Sequence, residues 1–133
     1  MKPSALVLDT SAYSHFRLGH DDVLEHMSLA RVIYVPTVVI GELEAGFLRG
    51  TRYRENTRSL SEFLQEPFVV VHNVDIAVAQ RYGQLVAALR RAGTPIPTND
   101  IWIAATALAC GGHLLTFDRD FARVEGLAHV LLG

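Results

Sequence analysis

Two short segments near opposite ends of the chain share one pattern, an apolar run that ends at an aspartate. The first is Ala5–Asp9 and the second is His113–Asp118. Ligands of an open parallel sheet bind outside the carboxyl ends of its strands. If both segments are strands of one sheet, Asp9 and Asp118 reach the same edge and can hold a cation between them.

Two further acids lie on predicted helices. Glu42 shares a helical face with small and apolar neighbours such as Val38 and Ala45. A carboxylate in such surroundings is costly unless it is paired or binds a metal, and an ion pair with an arginine is the alternative role. Asp100 opens an apolar helix, where the alternative role is stabilisation of the helix dipole. For Asp9 and Asp118 the alternative is helix capping.

The four acids together indicate one kind of chemistry. Hard oxygen ligands without Cys or His select Mg²⁺ or Mn²⁺ rather than Zn²⁺. Mg²⁺ keeps several waters and is commonly completed by a substrate phosphate. Metal-assisted phosphoryl transfer, with hydrolysis favoured, is therefore the predicted reaction. The sequence contains no P-loop, no dinucleotide-binding glycine motif and no nucleophile elbow.

Strands and helices alternate along the chain, which predicts a parallel sheet covered on both faces. The predicted strands are Ala5–Asp9, Val32–Val35, Phe68–Val71, Leu114–Phe117 and His129–Leu132. The predicted helices are Thr10–Leu18, a stretch capped by Asp21 or Asp22 with Val23, Leu24 and Met27 facing inward, one capped by Thr37 that ends near Leu48, Arg54–Gln65, one from Asp75 to Gly93, and one capped by Thr98 or Asn99 that stops at Gly111.

Length and composition fit a single domain over residues 1–133, and half of the 133 residues are hydrophobic. The longest apolar stretch, Ile101–Cys110, is too short to span a membrane. Pro3 and Asp9 interrupt the N-terminal segment, so we expect no signal peptide. The single cysteine, Cys110, suits a reducing cytosol. We therefore expect a cytoplasmic protein.

The segments that carry the four acids resemble the motif series of PIN-domain ribonucleases, in particular the VapC toxins of toxin–antitoxin pairs. In chain order these segments are Leu8–Ser11, Ile40–Leu43, Asn99–Ala105 and Thr116–Phe121. The resemblance implies a three-layer α/β/α sandwich and an endoribonuclease that depends on Mg²⁺ or Mn²⁺. It also implies a homodimer and inhibition by a small VapB-type antitoxin whose C-terminal segment covers the site.

The resemblance also assigns residues. Those that match the catalytic and metal-binding acids of the family are Asp9, Glu42, Asp100 and Asp118, with Asp120 as an outer contributor to the metal site. Ser11 and Thr116 match hydroxyls that support the acids or a bound water, and Asn99 is a further supporting residue. Transfer RNA is the common substrate class of the family.

The basic residues predict a surface that contacts the substrate. The net charge is −2, but twelve basic residues face only ten acids once the four candidate site acids are set aside. A mildly basic surface of this kind is compatible with a phosphodiesterase. The arginines predicted to contact RNA phosphates are Arg49, Arg52, Arg54 and Arg58, with an ordinary solvated helix face as the alternative.

Two other functions are consistent with the same residues. One is a PIN-type nuclease that matures RNA and is not a toxin. The other is a non-catalytic α/β module that binds RNA or protein and whose acids only cap helices.

Overall fold

The computed structural model describes all 133 residues. The strands are β1 (Ala5–Leu8), β2 (Val32–Pro36), β3 (Val69–His72), β4 (His113–Thr116) and β5 (His129–Leu131). The helices are α1 (Thr10–Arg17), α2 (Asp21–Leu29), α3 (Thr37–Arg49), α4 (Tyr53–Leu64), α5 (Ile76–Ala92) and α6 (Thr98–Cys110), and a 3₁₀ turn covers Arg119–Arg123.

The five strands form one parallel sheet in the order β3-β2-β1-β4-β5. From β1 the chain adds strands on one side of the sheet, and it then crosses over to place β4 and β5 on the other side. The boundary between β1 and β4 is therefore the topological switch point, where open α/β sheets bind ligands. The predicted parallel sheet flanked by helices is confirmed.

The interior of the sheet is apolar on both faces. Successive residues of a strand point to opposite faces, yet Leu6, Val7 and Leu8 are all fully buried, so helices cover both. Gly112 lets the chain pass close to β1 just before β4 begins. A Cβ at that position would lie 2.9 Å from Cγ2 of Val7.

Several predicted helix caps are wrong by one residue. Helices α2, α3 and α6 begin at Asp21, Thr37 and Thr98 themselves, and the preceding residues are N-caps without a side-chain hydrogen bond. Before α3 and α6 that residue is a proline, whose fixed φ is compatible with the extended N-cap conformation, so the helix starts immediately after it.

The inward face of α2 matches the prediction at Val23 and Met27 but not at Leu24. Val23, His26 and Met27 are buried, whereas Leu24 is 40% exposed. These three residues follow the helical i, i+3, i+4 spacing, and Leu24 lies beside that stripe. The ring Nδ1 of His26 lies 2.8 Å from the carbonyl oxygen of Asp22, which satisfies one polar atom of the buried histidine. None of the six helices has the length and apolar character needed to cross a membrane.

Candidate active site

The four predicted acids line one cavity at the switch point of the sheet. Asp9 follows β1, and Asp118 follows β4 after one intervening residue. Helix α3 starts at the carboxyl end of β2, and α6 runs back toward the start of β4, so both helices begin at this same edge. The cavity has a volume of about 310 Å³, and we call it the acidic cavity. Its lining residues are Asp9, Thr10, Ser11, Glu42, Asp100, Ile103 and Asp118.

Asp9 is the most deeply placed of these acids, with 4% of its surface exposed. Its Oδ1 accepts hydrogen bonds from the Ser11 hydroxyl at 2.7 Å and from the backbone N–H of Ala12 at 2.8 Å. Its Oδ2 accepts from the Thr116 hydroxyl at 2.5 Å. The predicted alternative role of Asp9, the N-cap of α1, is thus also present. We call Asp9, Ser11, Ala12 and Thr116 the Asp9 network.

The hydroxyls of the Asp9 network also fix the chain that leads to Asp118. Ser11 Oγ accepts the backbone N–H of Phe117 at 3.1 Å, and Thr116 Oγ1 accepts that of Asp118 at 2.9 Å. Each hydroxyl therefore donates to Asp9 and accepts from the segment after β4. Two side chains join the carboxyl ends of β1 and β4 in this way, which supports the predicted role of Ser11 and Thr116.

Asp100, Asp118 and Asp120 form a second group, which we call the acidic triplet. One carboxylate oxygen from each lies within 4.8 Å of the others, and all three side chains are half-buried. Asp118 Oδ1 accepts the backbone N–H of Asp120 at 2.8 Å, so Asp118 also caps the 3₁₀ turn. Capping and membership of the triplet are compatible, because one hydrogen bond leaves the second oxygen of Asp118 without a protein donor.

Glu42 is held by hydrogen bonds from two other elements. The Thr10 hydroxyl donates to Oε1 at 2.5 Å, and the Asn99 amide donates to Oε2 at 3.3 Å. No arginine lies within ion-pair distance of Glu42, so the alternative prediction of an Arg partner is wrong. Thr10 is a site residue that was not among those predicted from the sequence. Its position directly after Asp9 was the available signal.

Charge in the cavity is poorly compensated by the protein itself. Five acids lie at this edge of the sheet, namely Asp9, Glu42, Asp100, Asp118 and Asp120. Only Asp120 has a basic partner, since its Oδ1 lies 3.7 Å from Nη1 of Arg123. The pKa of Asp100 is raised to about 6, first by burial and then by repulsion from Asp118, Glu42, Asp9 and Asp120. Burial also raises the pKa of Asp9, against the opposing effect of its hydrogen-bond donors. This arrangement favours a bound cation.

The donor set fits a hard divalent cation. Every ligand candidate is a carboxylate oxygen, and no Cys or His lines the acidic cavity. Oxygen-only sites suit Mg²⁺ and Mn²⁺. The oxygen separations within the acidic triplet allow a single ion to reach all three carboxylates.

The four predicted arginines occupy different surroundings. Arg49 lines a second cavity together with Glu42 and Asn99. Arg52 is paired with Glu55, with its Nη2 at 2.5 Å from the carboxylate. Arg54 and Arg58 are exposed on α4. Only Arg49 is thus placed beside a predicted site acid.

An aromatic cluster packs against the same edge of the sheet and was not predicted. The ring of His15 stacks on Phe117 with centroids 3.8 Å apart, and His20 meets Phe117 edge-on at 5.1 Å. His15 lies one helical turn after Ser11, and Phe117 lies next to Asp118. Aromatic contacts therefore support both segments that carry the Asp9 network.

Comparison with known proteins is consistent with this geometry. The PIN domain family matches residues 6–127. The chain is 39% identical to ribonuclease VapC4 of Mycobacterium tuberculosis over 88 residues, which cover 66% of this chain and 68% of the relative.

Two solved structures share the fold. The VapBC-5 structure of Mycobacterium tuberculosis, from the VapBC family of toxin–antitoxin systems, superposes with a TM-score of 0.75 at 28% identity, over 98% of this chain and 100% of that one. The VapBC2 structure of Rickettsia felis, bound to a DNA fragment from its promoter, gives a TM-score of 0.85 at 24% identity, over 96% and 98% of the two chains.

Proposed function

The chain belongs to the PIN domain family, and we propose that it is a metal-dependent endoribonuclease that acts as the toxin of a toxin–antitoxin pair. The observation that carries this proposal is the convergence of Asp9, Glu42, Asp100 and Asp118 on one cavity at the switch point of the sheet. Similarity to ribonuclease VapC4 and to the VapBC-5 toxin–antitoxin structure supports the substrate class and the biological role.

Mg²⁺ or Mn²⁺ is the proposed cofactor, held by Asp100 and Asp118 with Asp120 as an outer contributor. When bound, the ion would lower the pKa of a water and neutralise charge that develops on the scissile phosphate. Asp9 Oδ2 accepts only the Thr116 hydroxyl and keeps one lone pair for the ion or its water. Thr10 and Asn99 hold the Glu42 carboxylate in the same cavity.

The chain's own residues perform the orienting part of the reaction. The Asp9 network holds one carboxylate in place, because its donors lie in both α1 and β4, and burial leaves Asp9 only 4% exposed. Preorganised groups of this kind do not need to rearrange when charge develops on the substrate. The half-buried acidic triplet remains accessible to the incoming phosphate.

Cleavage of RNA by the purified protein tests the enzymatic proposal. We expect hydrolysis of a structured RNA such as a transfer RNA with Mg²⁺ or Mn²⁺, and inhibition by EDTA. Asp9→Asn and Asp100→Asn should abolish cleavage, whereas the matched control Asp75→Asn should not. Asp75 caps α5 outside the acidic cavity, and asparagine is an equally good capping residue. Unchanged cleavage by folded variants of both site residues would contradict the site assignment.

Growth measurements separate a toxin from an RNA-maturation nuclease. We expect expression of the chain to arrest growth and Asp100→Asn to relieve the arrest. Co-expression of a small VapB-type antitoxin from the neighbouring gene should also relieve it. Cleavage in the test tube without growth arrest would favour the maturation nuclease.

The remaining proposals concern the assembly and location of the protein. We propose that residues 1–133 act as one nuclease domain, since all five strands lie in one sheet and the buried apolar residues form one cluster. A homodimer and a cytoplasmic location are also proposed. Sedimentation of the purified chain and fractionation of cells that express it would test these two points.

A further inference from the structure

A second cavity adjoins the acidic cavity along α3. Its volume is about 400 Å³, and Glu42 is the residue that lines both. We call it the Arg49 cavity. Its lining residues are Val38, Gly41, Glu42, Ala45, Arg49 and Asn99. One oxygen of Glu42 is bonded to Thr10 of the acidic cavity and the other to Asn99 of the Arg49 cavity, so this carboxylate lies at the boundary.

Arg49 gives this second cavity a positive charge that no protein acid neutralises. The ion pairs of the chain involve Lys2, Arg52, His72 and Arg123, and none involves Arg49. Its guanidinium lies back over Gly46, where an added Cβ would be 3.7 Å from Nη2. The charged group is therefore directed toward the N-terminal part of α3, where Glu42 lies.

The remaining walls leave room for a polynucleotide backbone. Gly41 and Ala45 contribute almost no side chain, and nothing lies within 4 Å of a Cβ placed on Gly41. Asn99 uses one amide N–H for Glu42 and has a second N–H available. Arg49 lies seven residues after Glu42, about 10 Å along the helix axis. A strand that leaves the acidic cavity along α3 would thus meet a donor amide and then a guanidinium.

We propose that the Arg49 cavity binds the RNA phosphate next to the scissile one, with Arg49 as its cationic ligand. This inference rests on the proposed ribonuclease function. A phosphate beyond the acidic cavity faces Glu42, so it needs a cation that the metal site does not supply. Arginine matches this role because its guanidinium can donate two parallel hydrogen bonds to one phosphate. Arg52 is less suited, because Glu55 already occupies its guanidinium.

A comparison of two substrates tests the inference. Bis(p-nitrophenyl) phosphate has one phosphate and cannot reach the Arg49 cavity while it occupies the metal site, whereas a ten-nucleotide RNA occupies both cavities. The readout is the ratio of kcat/KM for the RNA to kcat/KM for the small diester. In Arg49→Gln we expect this ratio to fall about 10- to 100-fold, as for loss of a charged hydrogen bond. The fall should appear mainly in KM for the RNA.

Matched variants make the result specific. Arg91→Gln removes the same charge from the exposed end of α5 and should leave the ratio unchanged. Arg49→Lys keeps the charge without the paired donors and should give an intermediate ratio. Arg49→Gln should also reduce the slope of log affinity against log salt by about 1 for RNA bound to the inactive Asp100→Asn protein.

The possible failures are distinguishable. If the wild-type protein hydrolyses neither substrate, the proposed function is wrong. If it hydrolyses both and Arg49→Gln has the wild-type ratio, the function stands and the Arg49 cavity is not a phosphate site. An equal fall in Arg49→Gln and Arg91→Gln would attribute the effect to overall charge and overturn the inference.

Discussion

The Asp9 network and the acidic triplet lie at the same edge of the sheet but differ in how the protein treats their charge. Asp9 is 4% exposed and receives three hydrogen bonds from residues on both sides of the switch point. Asp100 is half-buried, and no hydrogen-bond donor offsets the effects that raise its pKa. Asp9 is therefore built into the fold, whereas the charge of Asp100 is not compensated by any protein donor.

Because of this difference, we expect variants of Asp9 and Asp100 to differ in how they affect stability and activity. Removal of Asp9 leaves buried donors without an acceptor, so it should damage the fold as well as the chemistry. Removal of the Asp100 charge relieves repulsion among five acids and should damage only the chemistry. Variants of the two residues therefore test whether the site has these two parts.

Asp100→Asn should have the largest effect, a loss of activity without loss of structure. Loss of a carboxylate proposed to bind the metal should remove several kcal/mol of transition-state stabilisation, so we expect kcat/KM for RNA to fall about 1,000-fold. The far-ultraviolet circular dichroism spectrum should remain that of the wild type. Asp75→Asn serves as the control and should retain full activity. Loss of structure in Asp100→Asn would show that the acidic triplet is also part of the fold.

Asp9→Ala should destabilise the protein by about 2–4 kcal/mol, because the Ala12 N–H and the Thr116 hydroxyl lose a buried acceptor. Asp9→Asn keeps an acceptor oxygen and should cost less. Urea unfolding of the metal-free proteins measures both values, with Asp100→Ala as the comparison variant. A free energy of unfolding for Asp9→Ala equal to that of the wild type would contradict the structural role of Asp9.

Metal binding should stabilise the folded protein only while the acidic triplet is intact. At a free Mn²⁺ concentration 100 times the dissociation constant, the gain is about 2.7 kcal/mol, which corresponds to a rise in Tm of about 5–15 °C. Differential scanning fluorimetry with increasing Mn²⁺ measures this rise. The shift should disappear in Asp100→Asn and persist in Asp75→Asn. Equal shifts in the two variants would place the metal elsewhere.

The sequence was sufficient to predict the parallel sheet and the convergence of the acids. Apolar runs that end at Asp9 and Asp118 indicate both strand ends, and a parallel sheet brings such ends to one edge. Capping is the alternative role of Asp9 and Asp118, yet the structure contains both caps together with the cavity. A carboxylate has several acceptor positions, so one cap does not exhaust it.

Side-chain contacts between helices that are distant in the sequence could not be predicted from the sequence. The bonds from Thr10 and Asn99 to Glu42 join residues 32 and 57 positions apart. They depend on how α1, α3 and α6 approach one another, which periodicity does not encode. The same reason applies to the four arginines, which look alike in the sequence, because in the structure only Arg49 lines a cavity together with one of the site acids.

The smallest predicted effect concerns the pH dependence of the metal-free protein. The pKa of Asp100 is about 6 in the folded chain and 3.8 in the absence of perturbation. Between pH 3.8 and about pH 6, Asp100 keeps its proton to a greater extent in the folded chain than in the unfolded chain. The free energy of unfolding therefore falls as pH rises through this window, and the loss is complete above it.

Comparison of the wild type with Asp100→Asn isolates this contribution, because all other titrating groups are common to both. In EDTA, we expect the variant to be more stable at pH 7 by about 1–2 kcal/mol, a value reduced for solvent screening of a half-buried group. The advantage should shrink as the pH falls and vanish only below about pH 3, where Asp100 is protonated in both states. A difference that does not vary with pH would contradict the raised pKa of Asp100 in the folded chain.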